Sequence, residues 1–193
     1  MVFLSLEHSK AAYRADFAFY TTAIAAMTLF SAGVTPVGQR GTAVLLTLLG
    51  LAGWTLIEYA MHRFVLHGVQ PFQSWHAMHH ARPAALIFAP TVVAAALITI
   101  LVLLPAWVWM GRWRASALTL GVLIGYMLYS VTHHAIHHWR TGHRWVEKRK
   151  RRHALHHCSD RPGCYGVTTD VWDRVFGTLT LRPLRTCVTA DPT

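Results

Sequence analysis

Charge is what this sequence has least of. Only 13% of its 193 residues are Asp, Glu, Lys or Arg, about half of the roughly 25% found in ordinary soluble domains. So few charges cannot coat a globule in water, and an apolar content of 53% excludes intrinsic disorder. Acidic residues are scarcest: 8 Asp and Glu stand against 18 Lys and Arg, for a net charge of +10. The three cysteines, Cys158, Cys164 and Cys187, are odd in number and form no C-x-x-C pair. That argues against a disulfide framework or a cysteine zinc site. Also missing are a G-x-G-x-x-G turn for a dinucleotide and a C-x-x-C-H for haem.

Four long apolar stretches fill the chain instead. They are Phe17–Val34, Thr42–Met61, Ala84–Met110 and Ala115–Thr132. The third runs for 27 residues and the fourth for 18 without a charge. Pro90 and Pro105 are expected to trim or kink the third. Crossing a bilayer core takes ~20 apolar residues, and these stretches lack the polar stripe of a soluble bundle helix. They predict four transmembrane helices, the last two joined by the short turn 111–114. Residues 1–16 carry charge without an apolar run ending at a cleavage site, so no signal peptide is expected.

Four crossings put the N-terminal segment, 62–83 and everything after 133 on one side. That side holds 15 of the 18 Lys and Arg, and the other holds only Arg40, Arg112 and Arg114. Basic residues concentrate in cytoplasmic loops, so both termini are expected in the cytosol. The same bias accounts for the net charge without nucleic acid. The run Lys148–Arg152 reads as a helix facing lipid headgroups, or as a docking surface for an acidic protein.

Thirteen of the fourteen histidines fall within 62–80 and 133–157, both on the expected cytosolic side. Their spacing is regular. His62 and His67 form H-x4-H. His76, His79 and His80 form H-x2-HH, as do His153, His156 and His157. His134 and His138 form an H-x3-H. Positions i, i+3 and i+4 share one helix face, so each cluster presents its imidazoles to a common point. His62 and His67 are separated by about 140° on an ideal helix; they share a site only if metals lie between them or the helix ends there. Imidazole suits iron, zinc and copper. Ten such ligands are too many for one ion and fit two. His133, His137 and His143 are expected as groups behind the ligands or as interfacial polar residues, and His8 as a solvated one. Glu58, one turn before His62 at the end of an apolar span, is an intramembrane acid and so a functional candidate. It is expected either to accept the second ring N–H of a ligand histidine, or to pair with Arg63 or face the membrane interface.

These boxes resemble the fatty acid hydroxylase/sterol desaturase superfamily of membrane di-iron oxygenases. The order H-x4-H, H-x2-HH, H-x3-H, H-x2-HH is similar to that family's pattern. So are Glu58-Tyr-Ala-Met-His62, the approach to the third span through Phe88-Ala-Pro90, and the tail from Tyr165 through Trp172 and Asp173 to Thr178. The text looks closest to the fatty acid 2-hydroxylase branch. It departs from larger relatives in a short 67–76 stretch and in carrying no fused cytochrome b5 domain.

The resemblance implies an all-α integral membrane protein, with four transmembrane helices and a cytosolic helical cap carrying a histidine-rich di-metal site. A single domain over 1–193 is expected, with a family core of about 50–180 and terminal segments 1–16 and 183–193. It selects His134 and His138 over His133 and His137 as third-box ligands, and places Tyr165 and Asp173 with Glu58 behind the ligands. It implies two irons, which zinc can replace during preparation, and O2 as co-substrate. The implied substrate is a long-chain lipid, a fatty acid or acyl chain hydroxylated at the 2-position. Electrons would come from a separate cytochrome b5-like protein or a ferredoxin with its reductase. The alternatives are a carotenoid or sterol hydroxylase/desaturase, or a metal-binding membrane protein or transporter without chemistry.

Overall fold

The computed structural model describes residues 7–87, 89–158 and 163–180. Phe88, Cys187 and the segment 183–193 lie outside them. The described residues are almost wholly helical. Helix α1 spans Lys10–Val34, and α2 spans Arg40–Ala60 and runs on through a π-helical turn, Met61–Leu66. Helix α3 is Phe72–Ala81, and α4, Thr91–Ile98, continues through a second π-turn, Thr99–Leu103, into α5, Leu104–Met110. Helices α6 (Arg112–His138), α7 (Arg144–Cys158) and α8 (Val171–Val175) follow.

Among the described residues four segments are long and apolar enough to cross a membrane: Lys10–Val34, Val37–Leu66, Thr91–Met110 and Arg112–His138. Their bounds extend the first, second and fourth stretches, and trim the third at Pro90 as expected. The first helix starts seven residues before Phe17, because the Ser9 hydroxyl caps it by accepting from the Ala12 N–H at 3.2 Å. The third begins only after Pro90, since proline confines the residue before it to extended backbone. The π-turn ahead of Pro105 opens the helix where the proline ring would meet the carbonyl four residues back. The second and fourth overrun their apolar stretches and carry His62, His133 and His137 beyond them.

Helix α6 is the hub, packing on α1, α2, α4 and α5. Its contact with α2 is backbone to backbone. A Cβ on Gly121 would sit 2.0 Å from the Thr47 carbonyl oxygen, and one on Gly50 would sit 2.1 Å from that of Leu118. Small residues at such crossings replace the hydrophobic drive that lipid cannot supply. The Thr47 hydroxyl ties the pair by donating to the Ala117 carbonyl at 3.0 Å. The reversal from α5 into α6 turns on Gly111, whose φ of +78° is a conformation that side chains with a Cβ rarely adopt. Towards the histidine end the helices part around a core of Tyr20, Trp54, Ile98, Val122, Leu123 and Tyr126.

Candidate metal centre and apolar cavity

The π-turn resolves the awkward spacing of the first box. A π-turn closes i→i+5, so residues five apart come nearly into line. The rings of His62 and His67 accordingly stack, 5.4 Å apart. Helix α3 brings up His76, His79 and His80, and α7 folds back to bring His153, His156 and His157.

The imidazoles gather into two adjacent groups. His62, His67, His76, His80 and His156 each offer a nitrogen, all within 4.8 Å of one another, and so do His79, His133, His137 and His153. His157 joins the second group, its Nε2 lying 3.0 Å from that of His153, and stacks on His80 of the first at 4.2 Å.

Metal–imidazole bonds of about 2.1 Å set at right angles separate two nitrogens by about 3.0 Å. Several pairs in the structure have this spacing. Nε2–Nε2 distances are 3.0 Å for His62–His76 and His76–His80, and 3.1 Å for His80–His156 and His67–His156. In the second group His137–His153 is 2.9 Å. Among the described residues buried His79 finds no hydrogen-bond partner at either ring nitrogen, a costly arrangement unless a cation takes a lone pair. The residues present therefore fit two metal ions.

Protonation is suppressed. Burial, reinforced by neighbouring imidazoles, lowers His79 and His80 to about 4. For His157 the same causes give about 2. His156 also falls to about 2 through burial, although its bond to Gly163 opposes the shift. These rings stay neutral at physiological pH, the form that binds metal.

A strap, residues 163–168, orients two of them. The Nδ1–H of His62 donates to the Tyr165 carbonyl at 2.6 Å, and that of His156 to the Gly163 carbonyl at 2.8 Å. Because a carbonyl can only accept, each Nε2 is left as a bare lone pair facing its group. Two buried carboxylates hold the strap. Glu58 Oε1 accepts from the N–H groups of Val167 at 2.6 Å and Thr168 at 2.8 Å, and its Oε2 from the Thr168 hydroxyl at 2.6 Å. Asp173 Oδ1 accepts from the Tyr165 N–H at 2.9 Å and the Thr178 hydroxyl at 2.7 Å, while Oδ2 accepts from the Gly166 N–H at 2.8 Å. Among the described residues Glu58 thus hydrogen-bonds to the strap rather than to a histidine, and the Arg63 guanidinium donates to the Tyr59 hydroxyl. The Tyr165 ring packs 5.5–5.7 Å from those of His62, His67 and His156.

The third box is corrected by one residue. His133 and His137 lie in the second group, whereas the His134 and His138 rings lie 4.7 Å from each other on another face of α6. There Tyr13 Oη lies 2.8 Å from His134 Nδ1. Adjacent helical residues point about 100° apart, and the α1–α6 contact turns the 134/138 face towards α1. His143 and His8 belong to neither group. The Gly163 carbonyl has no signature in sequence; the π-turn had one, the five-residue spacing itself.

Beneath the histidines opens a cavity of about 390 Å³ with a predominantly apolar lining. His62, His76, His79 and His133 form its head, and Val93, Leu97 and Leu101 line one of its walls. Such an arrangement presents an apolar chain end-on to both imidazole groups.

The fold and the site define a four-span membrane protein capped by a histidine cage able to bind metal. The family description "Fatty acid hydroxylase" matches residues 47–178, and the chain belongs to that family. It is similar to the dihydroceramide fatty acyl 2-hydroxylase FAH2 of Arabidopsis thaliana, at 34% identity over 151 residues, covering 70% of this chain and 60% of that protein. It is also similar to the fatty acid 2-hydroxylase of Homo sapiens, at 31% over 153 residues, covering 70% and 39%. The chain thus spans 60% and 39% of these two relatives' length. A solved structure described as full-length scs7p, with only its hydroxylase domain visible, shares the fold. Its TM-score is 0.77 at 24% identity, over 89% of this chain and 67% of that one.

Proposed function

We propose that this chain is an O2-dependent hydroxylase that acts on the acyl chain of a lipid, using two irons and a separate electron donor. The observation that carries the reading is the imidazole cage at the head of the apolar cavity. Unactivated C–H bonds need an oxidant stronger than any side chain. Two irons supply it when bound, in a reaction where C–H, O2, two electrons and two protons give C–OH and water. Zinc has no redox chemistry, which favours iron among the metals suited to imidazole.

The ligands in this reading are His62, His67, His76, His80 and His156 for one iron, and His79, His133, His137, His153 and His157 for the other. The rest of the chain positions and excludes. Glu58 and Asp173 hold the strap, whose carbonyls keep His62 and His156 in the tautomer that faces the iron. The cavity receives the acyl chain and keeps water out. From Val93 to Leu101 it runs for about 12 Å at ~1.5 Å per residue. At ~1.25 Å per carbon, from tetrahedral C–C geometry, that holds about ten carbons, with the remainder in the bilayer. The relatives' names support oxidation at the 2-position of a fatty acid or ceramide acyl group. Delivering that carbon to the head of the cavity leaves the carboxyl or amide group beside the cage and the tail below it.

The cage and both termini belong on the cytosolic side by the distribution of basic residues, within reach of a cytochrome b5-like or ferredoxin donor. Expression with such a donor and its reductase, followed by lipid mass spectrometry, tests the reading. The expected product gains one oxygen, placed at the 2-position by fragmentation. No oxygenated lipid from an iron-loaded preparation with a competent donor would overturn it.

A further inference from the structure

The run 148–152, expected from sequence to face lipid headgroups or an acidic protein, is only partly exposed: Arg149 is buried, and Lys150 and Arg152 are half-buried. Four cations converge on one carboxylate. Asp170, at the head of α8, lies 3.2 Å from Arg149, 2.8 Å from Arg152, 3.1 Å from Arg174 and 4.0 Å from Lys148. The cluster carries a surplus of three positive charges. Arg149 is 4% exposed, and its Nε and Nη1 find no hydrogen-bond partner among the described residues. Buried guanidinium donors are normally satisfied by carboxylate or phosphate oxygens. Among the described residues, the carboxylates of Glu58 and Asp173 are already engaged in holding the strap.

The depth of the cluster is a separate observation. Helix α8 is pinned to α2, where the Trp172 Nε1–H donates to the Thr55 hydroxyl at 2.9 Å and Phe176 stacks on Tyr59 at 5.3 Å. Counting ~20 residues of apolar helix from Gly41 reaches Ala60, so Tyr59 lies at the upper edge of the hydrocarbon and Thr55 about 7.5 Å below Ala60. At that level α8 exposes Val171, Val175 and Phe176, at 51%, 62% and 50%. On the same end Phe64 is 58% exposed, with the Arg63 guanidinium 5.0 Å over its ring, as in side chains that snorkel to the interface. An apolar helix face with cations at its head matches the boundary between acyl chains and phosphates.

We propose that α7 and α8 form a binding site for the phosphodiester headgroup of an anionic phospholipid. Lys148 and Arg174, about half exposed at the rim, take the phosphate oxygens. Arg149 and Arg152 supply the field behind them, and Val171, Val175 and Phe176 bed against the acyl chains. The site is separate from the acyl cavity and does not rest on the hydroxylase reading. Asp173 lies in the same short helix, so a lipid held there also steadies the strap.

The test uses the full chain in neutral detergent, titrated with phosphatidylglycerol, with phosphatidylcholine of the same acyl chains, and with inorganic phosphate. Native mass spectrometry reads binding and thermal melting reads stability. Phosphatidylglycerol is expected to stay bound and raise the melting temperature, and the other two are not. Lys148→Gln with Arg174→Gln should weaken its binding about 25-fold, since each cation at a bilayer surface is worth about fivefold. Arg112→Gln with Arg114→Gln, at the opposite end, should leave binding unchanged. The mass measurement decides even if the first double variant melts earlier. Equal binding of phosphatidylcholine, saturation by phosphate alone, or unchanged affinity in the Lys148/Arg174 variant would overturn the proposal. So would an acidic donor protein that competes at these cations while the lipid does not.

Discussion

Replacing Glu58 with Ala tests the chain of positioning from membrane helix to metal without touching a histidine. The carboxylate accepts three hydrogen bonds from the strap, at 2.6, 2.8 and 2.6 Å. Hydrogen bonds to a charged group are worth about 1.5–3 kcal/mol each, and a buried donor left unpaired costs about 1–3 kcal/mol. The three share one anchor and do not add fully, so about 3–5 kcal/mol of local strap stability should go. The strap then ceases to hold the Tyr165 carbonyl against His62 Nδ1, and loss of such a support typically lowers metal affinity 10–100-fold. Glu58→Gln keeps an oxygen for the two backbone N–H groups and should lose less than tenfold.

The assay is a chelator titration of the purified protein, with bound metal counted by inorganic mass spectrometry and melting followed in parallel. In Glu58→Ala the ion held by His62 and His156 should leave first, so occupancy passes through one metal per chain. Wild-type retention of both ions across the titration would refute the reasoning. Parallel loss of both ions with global unfolding would instead make Glu58 a residue of the fold alone.

Three further outcomes follow from the geometry. Substituting His133 and His137 with Ala should lower bound metal by one ion per chain, whereas the same change at His134 and His138 should leave occupancy intact; the reverse result would put α6 in the wrong rotation. Gly121→Leu must push a side chain into the Thr47 carbonyl, 2.0 Å from its Cβ, so α2 and α6 must separate. Overpacking costs about 1–3 kcal/mol or more, and an unchanged melting temperature in detergent would contradict the close crossing. Burial alone would raise the Asp170 carboxyl, but the cations facing it outweigh that and hold it at about 2. A depressed carboxyl contributes stability above its unfolded value of about 3.9, and loses it as pH falls towards about 2. Asp170→Asn should therefore melt earlier than wild type at pH 7, with the difference closing between about pH 4 and 2. A constant difference across that range would show that the ion cluster is not its source.

Much of this protein was legible in residue order because the bilayer imposes simple rules. Long runs without charge can only be buried in lipid or protein, so four helices could be counted before any contact was known. The histidine windows follow the second and fourth runs, and helical connectivity alone returns them to one end of the bundle. Glu58, Tyr165 and Asp173 were legible as residues of interest. What they do was not, since their partners are backbone groups of a segment more than a hundred residues from Glu58. The rotation of α6 was likewise undetermined. Two H-x3-H pairs overlap with an offset of one residue, and local spacing treats them alike. Only the packing of α1 and α2 on α6, with glycine backbone against backbone at Gly50 and Gly121, turns His133 and His137 inwards. The sequence by itself determined how many helices cross and which residue types gather at one end, because both depend on composition and length along the chain. The tertiary structure alone decided which nitrogens face each other, because that depends on helix rotation and on a strap held by carboxylates from two other helices.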